Sequence, residues 1–118
     1  MTTMLRVTES QPISLEDVRR LVPGRFRDMV KGVVDLKRRL LVLDADMHAD
    51  QEALLLADGS QQRDLWGINL YPQLDGPDWI EFDSMINLRP SFGNRSRSVD
   101  DPATQEAIVS LVAELVRR

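Results

Sequence analysis

The sequence predicts a single α+β domain spanning residues 1–118. Three observations indicate it: the length fits one modest core, short apolar runs alternate with turn residues through the middle, and an amphipathic helical pattern lies near each end. We expect a two-layer fold, with a mostly antiparallel sheet of four to five strands and helices packed on one face. The order of the predicted elements also permits a ferredoxin-like core.

The first helix is predicted over residues 15–22. Ser14 followed by Asp17 approximates a capping box, in which the serine side chain accepts a hydrogen bond from the first turn. Apolar residues recur at helical spacing after it, and Pro23-Gly24 is expected to end the helix.

Residues 30–36 and 40–43 are predicted to form a β-hairpin, because both runs are apolar and they flank the polar pair Lys37-Arg38. From residue 44 to 49 apolar and polar residues alternate one by one, a period typical of a strand. This alternation predicts Ala45 and Met47 on the buried side. It places Asp44, Asp46 and His48 on the opposite side. Residues 53–57 fit either a short helix or a strand, and the helix is preferred.

A second hairpin is predicted from residues 65–71 and 79–88, two apolar and aromatic runs separated by turn residues. Residues 90–99 read as a polar loop. Asp101 as N-cap and Pro102 at the first helical position then predict a helix to the end of the chain. Its buried face is expected to contain Ile108, Leu111, Val112 and Leu115.

Composition bears on several classes of function. The net charge of -4 disfavours nucleic-acid binding, and three Phe, two Trp and one Tyr supply few surfaces for base stacking. The chain has no Cys, so thiolate metal sites and Cys nucleophiles are excluded. No stretch approaches the ~20 apolar residues of a membrane span, and the first residues lack a leader pattern. We therefore expect a cytoplasmic protein without membrane or nucleic-acid partners.

A first candidate site is the acidic face of the predicted strand around residues 44–52. Carboxylates held close together raise one another's pKa values unless a cation lies between them. Asp46, His48 and Asp50 are therefore candidate ligands for a divalent metal. The plain alternative is a solvated edge strand, since charged residues keep sheet edges soluble.

A second candidate combines the polar face of residues 81–89 with the arginine-bearing loop that follows. Asp83 and Arg89 would lie on a rigid strand, and the loop adds arginine forks suited to phosphate or carboxylate. The alternative is a structural ion-pair network, because Asp100 and Asp101 stand close to the loop arginines.

Four segments resemble a family of small prokaryotic proteins whose function is unassigned. They are HAD at 48–50, DLWGINLYP at 64–72, IEFDSMINLRP at 80–90 and GNRSR at 93–97. In the family pattern a polar residue is usual in place of Phe92 and an acidic one in place of Gln51. These departures count against a purely polar pocket and against a metal site. The resemblance implies that the following residues share one site: His48, Asn69, Asp83, Asn87, Arg89, Asn94 and Arg95.

Two interpretations of function follow. The preferred one is a domain that binds a small anionic ligand or a metal at a polar sheet face, and the alternative is a homo-oligomeric or partner-binding module without catalysis. The sequence has no GxxxxGK[ST], GxGxxG, GxSxG or HExxH pattern, so the corresponding enzyme classes have no support. We expect the side chains of one cleft to include Asp83, Asn87, Arg89, Asn94 and Arg95, with His48 at its edge.

Overall fold

The structure is a computed structural model that describes residues 4–26 and 28–118. Its strands are β1 (Leu5–Val7), β2 (Ile13–Ser14), β3 (Val30–Asp35), β4 (Leu40–Leu43), β5 (Leu65–Leu70), β6 (Ile80–Glu81) and β7 (Val116–Arg117). Its α-helices are α1 (Leu15–Arg25), α2 (His48–Ala57) and α3 (Pro102–Leu115).

Five strands form the main sheet, in the order β1-β4-β3-β5-β6, and all four pairings are antiparallel. The α+β class and the mostly antiparallel sheet are therefore confirmed. A ferredoxin-like core is not confirmed. β2 and β7 form a separate two-stranded parallel sheet that joins the two ends of the chain.

The first predicted hairpin is confirmed, and Asp35 shapes its turn. The Asp35 carboxylate accepts hydrogen bonds from the backbone N–H groups of Lys37 and Arg38, both at 2.9 Å. Its second oxygen accepts from the Ser60 hydroxyl at 2.6 Å. A buried aspartate thus fixes the turn between β3 and β4 and links it to the segment after α2.

The helices lie on both faces of the sheet. Because side chains alternate along a strand, Val34 and Ile68 point to one face, where Val18 of α1 and Leu111 of α3 pack against them. The opposite face carries a second cluster, in which Leu55 of α2 packs with Val33, Leu40, Val42 and Leu65. The expected packing on one face therefore holds for α1 and α3, whereas α2 forms a third layer.

The start of α1 is as predicted, but its end is not. The Ser14 hydroxyl accepts from the Asp17 N–H at 3.0 Å, which caps the helix. The helix then continues through Pro23 to Arg25 instead of ending at Pro23-Gly24. Pro23 fixes a helical φ but has no N–H to donate to the carbonyl oxygen of Arg19, so the last turn of α1 is held by one hydrogen bond fewer.

The strand predicted over residues 44–49 is wrong. β4 ends at Leu43, Asp44 adopts a positive φ of 73°, and the chain then enters α2 at His48. The buried residues of α2 are His48, Gln51 and Leu55, which are spaced as on one face of a helix. Two of these three are polar, so the sequence shows no apolar stripe at helical spacing, and the alternation of polar and apolar residues suggests a strand instead. Met47 is 57% exposed and His48 only 6%, the reverse of the expected arrangement.

The second hairpin forms, but its second strand is much shorter than predicted. β6 pairs with β5 only at Glu81 and Ile80. The Ser84 hydroxyl then accepts from Ile86 N–H and caps a 3-10 turn over Met85–Asn87. The expected alternation over residues 80–89 is therefore wrong, because Asn87 and Arg89 are buried while Met85 is exposed.

The last helix begins as predicted, but it ends at Leu115 instead of at the end of the chain, because Val116–Arg117 pair with β2 as strand β7. The Asp101 side chain caps α3, Pro102 opens it, and the predicted apolar face is buried. Residues 90–99 form the expected loop, apart from a 3-10 turn over Pro90–Phe92. Among the described residues, no helix combines the length and apolar character that crossing a membrane requires.

We predict that Leu111→Ala lowers the free energy of unfolding by about 2–5 kcal/mol, through lost burial and a residual cavity. Leu111 is buried in the main cluster, whereas Val109 on the same helix is 46% exposed. Val109→Ala is therefore the matched control, expected to change stability by less than ~1 kcal/mol. Urea denaturation measures both, and equal losses would show that α3 does not pack through Leu111.

Candidate functional site

A small cleft of about 170 Å³ opens between the start of α2 and the turn that follows β6. We call it the α2 cleft. It is lined by Lys31, Asp46, Met47, His48, Ala49, Ser84, Met85, Ile86 and Arg97. These residues come from four separate segments, so the cleft is a product of the tertiary fold.

Gly67 on β5 allows α2 and the Ser84 turn to approach each other so closely. A Cβ atom at this position would lie 2.5 Å from both Cβ and Oγ of Ser84, and 3.2 Å from Cγ of His48. Distances below 3.0 Å are not tolerated without a shift of the neighbouring atoms. The absence of a side chain at Gly67 therefore positions His48 and Ser84 side by side in the α2 cleft.

His48 lines the cleft as a neutral imidazole. Its Nε2 lies 2.8 Å from the carbonyl oxygen of Ile68, which can only accept, so the neutral ring carries its proton on Nε2. Burial is the largest influence and lowers the pKa of His48 from 6.5 to about 4, although the hydrogen bond to Ile68 acts in the opposite direction. At neutral pH the residue therefore contributes no charge to the cleft.

Two cations line the cleft. Lys31 lies on β3, directly opposite Asn69 of β5, and its Nζ lies 5.3 Å from the centre of the Phe26 ring. Arg97 comes from the loop before α3, and its Nε donates to Oδ1 of Asp83 at 2.9 Å. The charge of this exposed pair is screened by water, and the rest of the Arg97 guanidinium has further N–H donors.

Asn87 and Asn94 were predicted to bind a ligand, but their amides are engaged with the backbone. Asn87 accepts from Gly67 N–H at 2.8 Å and donates to Gly67 O and Arg97 O, both at 3.0 Å. Asn94 donates to the carbonyl oxygens of Asn87 and Ser98, both at 2.7 Å. Together they fold the loop against β5 and hold the segment that carries Arg97.

Arg89 is similarly occupied by the protein itself. Its guanidinium stacks over Trp66 at 4.4 Å from the ring centre and donates to the carbonyl oxygens of Leu65 and Gln62. Burial lowers its pKa, and the charge of Glu52 opposes that effect. Arg89 does not line the α2 cleft, so it anchors the loop to the start of β5.

The remaining predicted residues lie at different distances from the cleft. Asn69 donates to Glu81 Oε1 at 2.8 Å and to Asp83 O at 3.2 Å, which ties β5 to the strand end beside Arg97. Asp83 adjoins the cleft through its ion pair with Arg97. Arg95 is exposed and outside the cleft lining, and its backbone N–H donates to Asp100. The predicted residues therefore contact one continuous loop but do not converge in one cleft.

The metal hypothesis loses its geometric basis, because residues 48–50 begin a helix. Asp46 and His48 line the α2 cleft, whereas Asp50 is an exposed residue in the first turn of α2. Within the described part of the chain, no group of three or more His, Asp or Glu side chains is arranged to hold a metal ion.

Sequence reasoning missed Lys31, Ser84 and Arg97. Lys31 stands between apolar residues near the start of β3, and this position was the one signal for it in the sequence. Ser84 and Met85 were expected on a strand that instead ends at Glu81, and Met47 on a strand that the structure replaces with the start of α2. Arg97 belongs to the arginine-bearing loop named from the sequence, but it was not among the residues predicted for the site.

A larger groove of about 430 Å³ lies between β1 and α1. Its lining includes Asp17 and Arg20, which form an ion pair at 2.9 Å. Its charged groups are therefore already paired, and it contains none of the predicted site residues. We take the α2 cleft as the candidate site.

The fold and this site define a small α+β domain with a small cleft between the start of a helix and the turn after β6. The chain belongs to the family described as "Protein of unknown function (DUF5674)", whose model matches residues 7–115. Neither a curated protein nor a solved structure matches the chain.

We predict that Gly67→Ala destabilises the protein by about 1–3 kcal/mol, because the new methyl group overlaps Ser84 and must displace its turn. Gly32→Ala is the matched control in the neighbouring strand. Its Cβ would meet the flexible ends of Leu43 and Leu41 at 3.0 and 3.1 Å, so a smaller loss is expected. Chemical denaturation compares the two, and an equal or smaller loss for Gly67→Ala would contradict the close approach.

We predict a pH-dependent loss of stability that originates at His48. The folded pKa is about 4 and the unfolded value 6.5, so the unfolded chain binds the proton first as the pH falls. The free energy of unfolding should therefore decrease between pH 6.5 and 4. This residue should account for about 2 kcal/mol between pH 7 and 5.

The control for this prediction is His48→Gln, whose amide can still donate to Ile68 O but does not titrate. Urea denaturation of both proteins at pH 7 and pH 5 isolates the contribution of the imidazole from that of the carboxylates. Identical pH dependence in the two proteins would contradict the lowered pKa.

Proposed function

We propose that the protein binds a small molecule with an anionic group in the α2 cleft. The observation that carries the proposal is that Lys31, Arg97 and Ser84 line one cleft together with the first residues of α2. Carboxylate and phosphate oxygens accept hydrogen bonds from such donors, and the guanidinium can present two parallel N–H groups.

The start of α2 adds a further favourable contribution. The first N–H groups of a helix have no partner within the helix, and the partial positive charge there favours an anion. The N-cap residue is Met47, which makes no side-chain capping hydrogen bond. A ligand oxygen in the cleft would accept from N–H groups at this end of the helix.

Ser84 supports the same conclusion independently of the helix. The residue is only 1% exposed and lines the cleft, and its Oγ accepts from Ile86 N–H at 3.3 Å. Among the described residues its hydroxyl proton has no hydrogen-bond acceptor. Since buried donors are nearly always paired, an acceptor atom of a bound molecule would complete this site.

This proposal retains part of the site expected from the sequence and changes the rest. His48 remains as a neutral wall of the cleft, and Asp83 remains as the partner that orients Arg97. Arg97 takes the role expected of Arg95. The polar groups of Asn87, Arg89 and Asn94 act as supports for the loop.

The test compares two neighbouring arginines by NMR titration of the intact protein with sodium acetate and with inorganic phosphate. We predict that Arg97→Gln weakens anion binding about tenfold, since a charge-assisted hydrogen bond is lost. Arg95→Gln, the matched control, should bind like the unchanged protein. Shifts are expected at the backbone amides of His48, Ala49 and Ser84.

Two results would contradict the proposal. One is the absence of saturable shifts at these amides with either anion. The other is an equal loss of affinity in both variants, which would indicate general charge attraction. A loss confined to Arg95→Gln would instead favour the loop site expected from the sequence.

A further inference from the structure

The α2 cleft is lined by apolar side chains as well as by its two cations. Met47, just before α2, and Met85, in the turn after β6, both line it and are 57% and 61% exposed. Ala49 and Ile86 also line the cleft. Methionine side chains are flexible and polarizable, so they adapt to an apolar group placed between them.

The charges around the cleft limit the charge of its occupant. Lys31 and Arg97 supply two positive charges, whereas Asp46 in the lining and Asp83 beside Arg97 supply two negative ones. Arg97 therefore already has one anionic partner before any ligand binds. A monoanion placed against Arg97 meets less repulsion from Asp83 than a dianion would.

The volume limits the size of the occupant. About 170 Å³ corresponds to roughly six water-sized groups, at about 30 Å³ for each. A carboxylate group has three heavy atoms, so by the same measure about three further heavy atoms fit beside it in the cleft.

We propose that the occupant is a short-chain aliphatic carboxylate, held at its carboxylate by Arg97, Lys31 and Ser84 and at its chain by Met47 and Met85. The proposal rests on the proposed function and names the class of ligand for the same cleft. A free phosphate would leave both methionines in water and would bring more negative charge towards the aspartates.

The first test is a chain-length series followed by NMR titration of the intact protein. The probes are acetate, propionate, butyrate, pentanoate and octanoate, together with inorganic phosphate and 1-butanol. Affinity should increase about fourfold for each added methylene up to butyrate or pentanoate, and then level off as the chain leaves the cleft. Phosphate and 1-butanol should both bind more weakly than butyrate.

The second test uses Met85→Ala, with Leu88→Ala as the matched control, since Leu88 is an exposed apolar residue outside the cleft lining. Met85→Ala should flatten the dependence on chain length, because it should weaken binding of butyrate and pentanoate much more than binding of acetate. Leu88→Ala should preserve the full dependence. Arg97→Gln should lower the affinity for every carboxylate in the series by the same factor.

Several outcomes separate failure of this inference from failure of anion binding. If acetate and butyrate bind equally, or phosphate binds more tightly, the assigned class is wrong while anion binding stands. If 1-butanol binds as well as butyrate, the cleft recognises the chain without the carboxylate. If no anion binds, both proposals fail. If Met85→Ala lowers the mass measured by sedimentation without ligand, the methionines belong to an interface between copies and the inference is overturned.

Discussion

The amide of Asn87 and the peptide groups of Gly67 form the contact on which the candidate site depends. Asn87 accepts from the N–H of Gly67 and donates to its carbonyl oxygen, as the backbone of a neighbouring strand would. One side chain thus satisfies the edge of β5 where β6 has ended. The chain is freed to fold into a 3-10 turn, and that turn brings Ser84 over the sheet.

The same contact connects the layers of the fold. Gly67 leaves space on its α2 side, so His48 and Ser84 both approach the sheet there. Asn87 also donates to the carbonyl oxygen of Arg97, which holds the polar loop beside the turn. The side chain of Asn87 therefore holds together β5 at Gly67 and the segment that carries Arg97. Asn87 was expected to contact a ligand, but in the structure it supports the residues that line the cleft.

Local sequence signals predicted the parts of the fold that local interactions determine. The caps of α1 and α3, the β3–β4 hairpin and the buried face of α3 follow from spacing and turn chemistry within a few residues. The errors occurred where tertiary contacts replaced local preference. His48 and Gln51 are buried polar residues whose partners, Ile68 and Lys31, lie about twenty positions away. Likewise, the amide of Asn87 bonds to Gly67, twenty positions away in the sequence, so the residues that line the cleft could not be predicted from local pattern alone.

The α2 cleft draws on residues 31, 46–49, 84–86 and 97, which are far apart along the chain. Such a surface has no counterpart in any single hairpin or helix, because it requires contacts between residues far apart in the sequence. A molecule in the cleft would therefore bind the completely folded chain and not partly folded states. Its binding free energy would add to the native state alone, so occupancy would protect the loop and the start of α2 together against local opening.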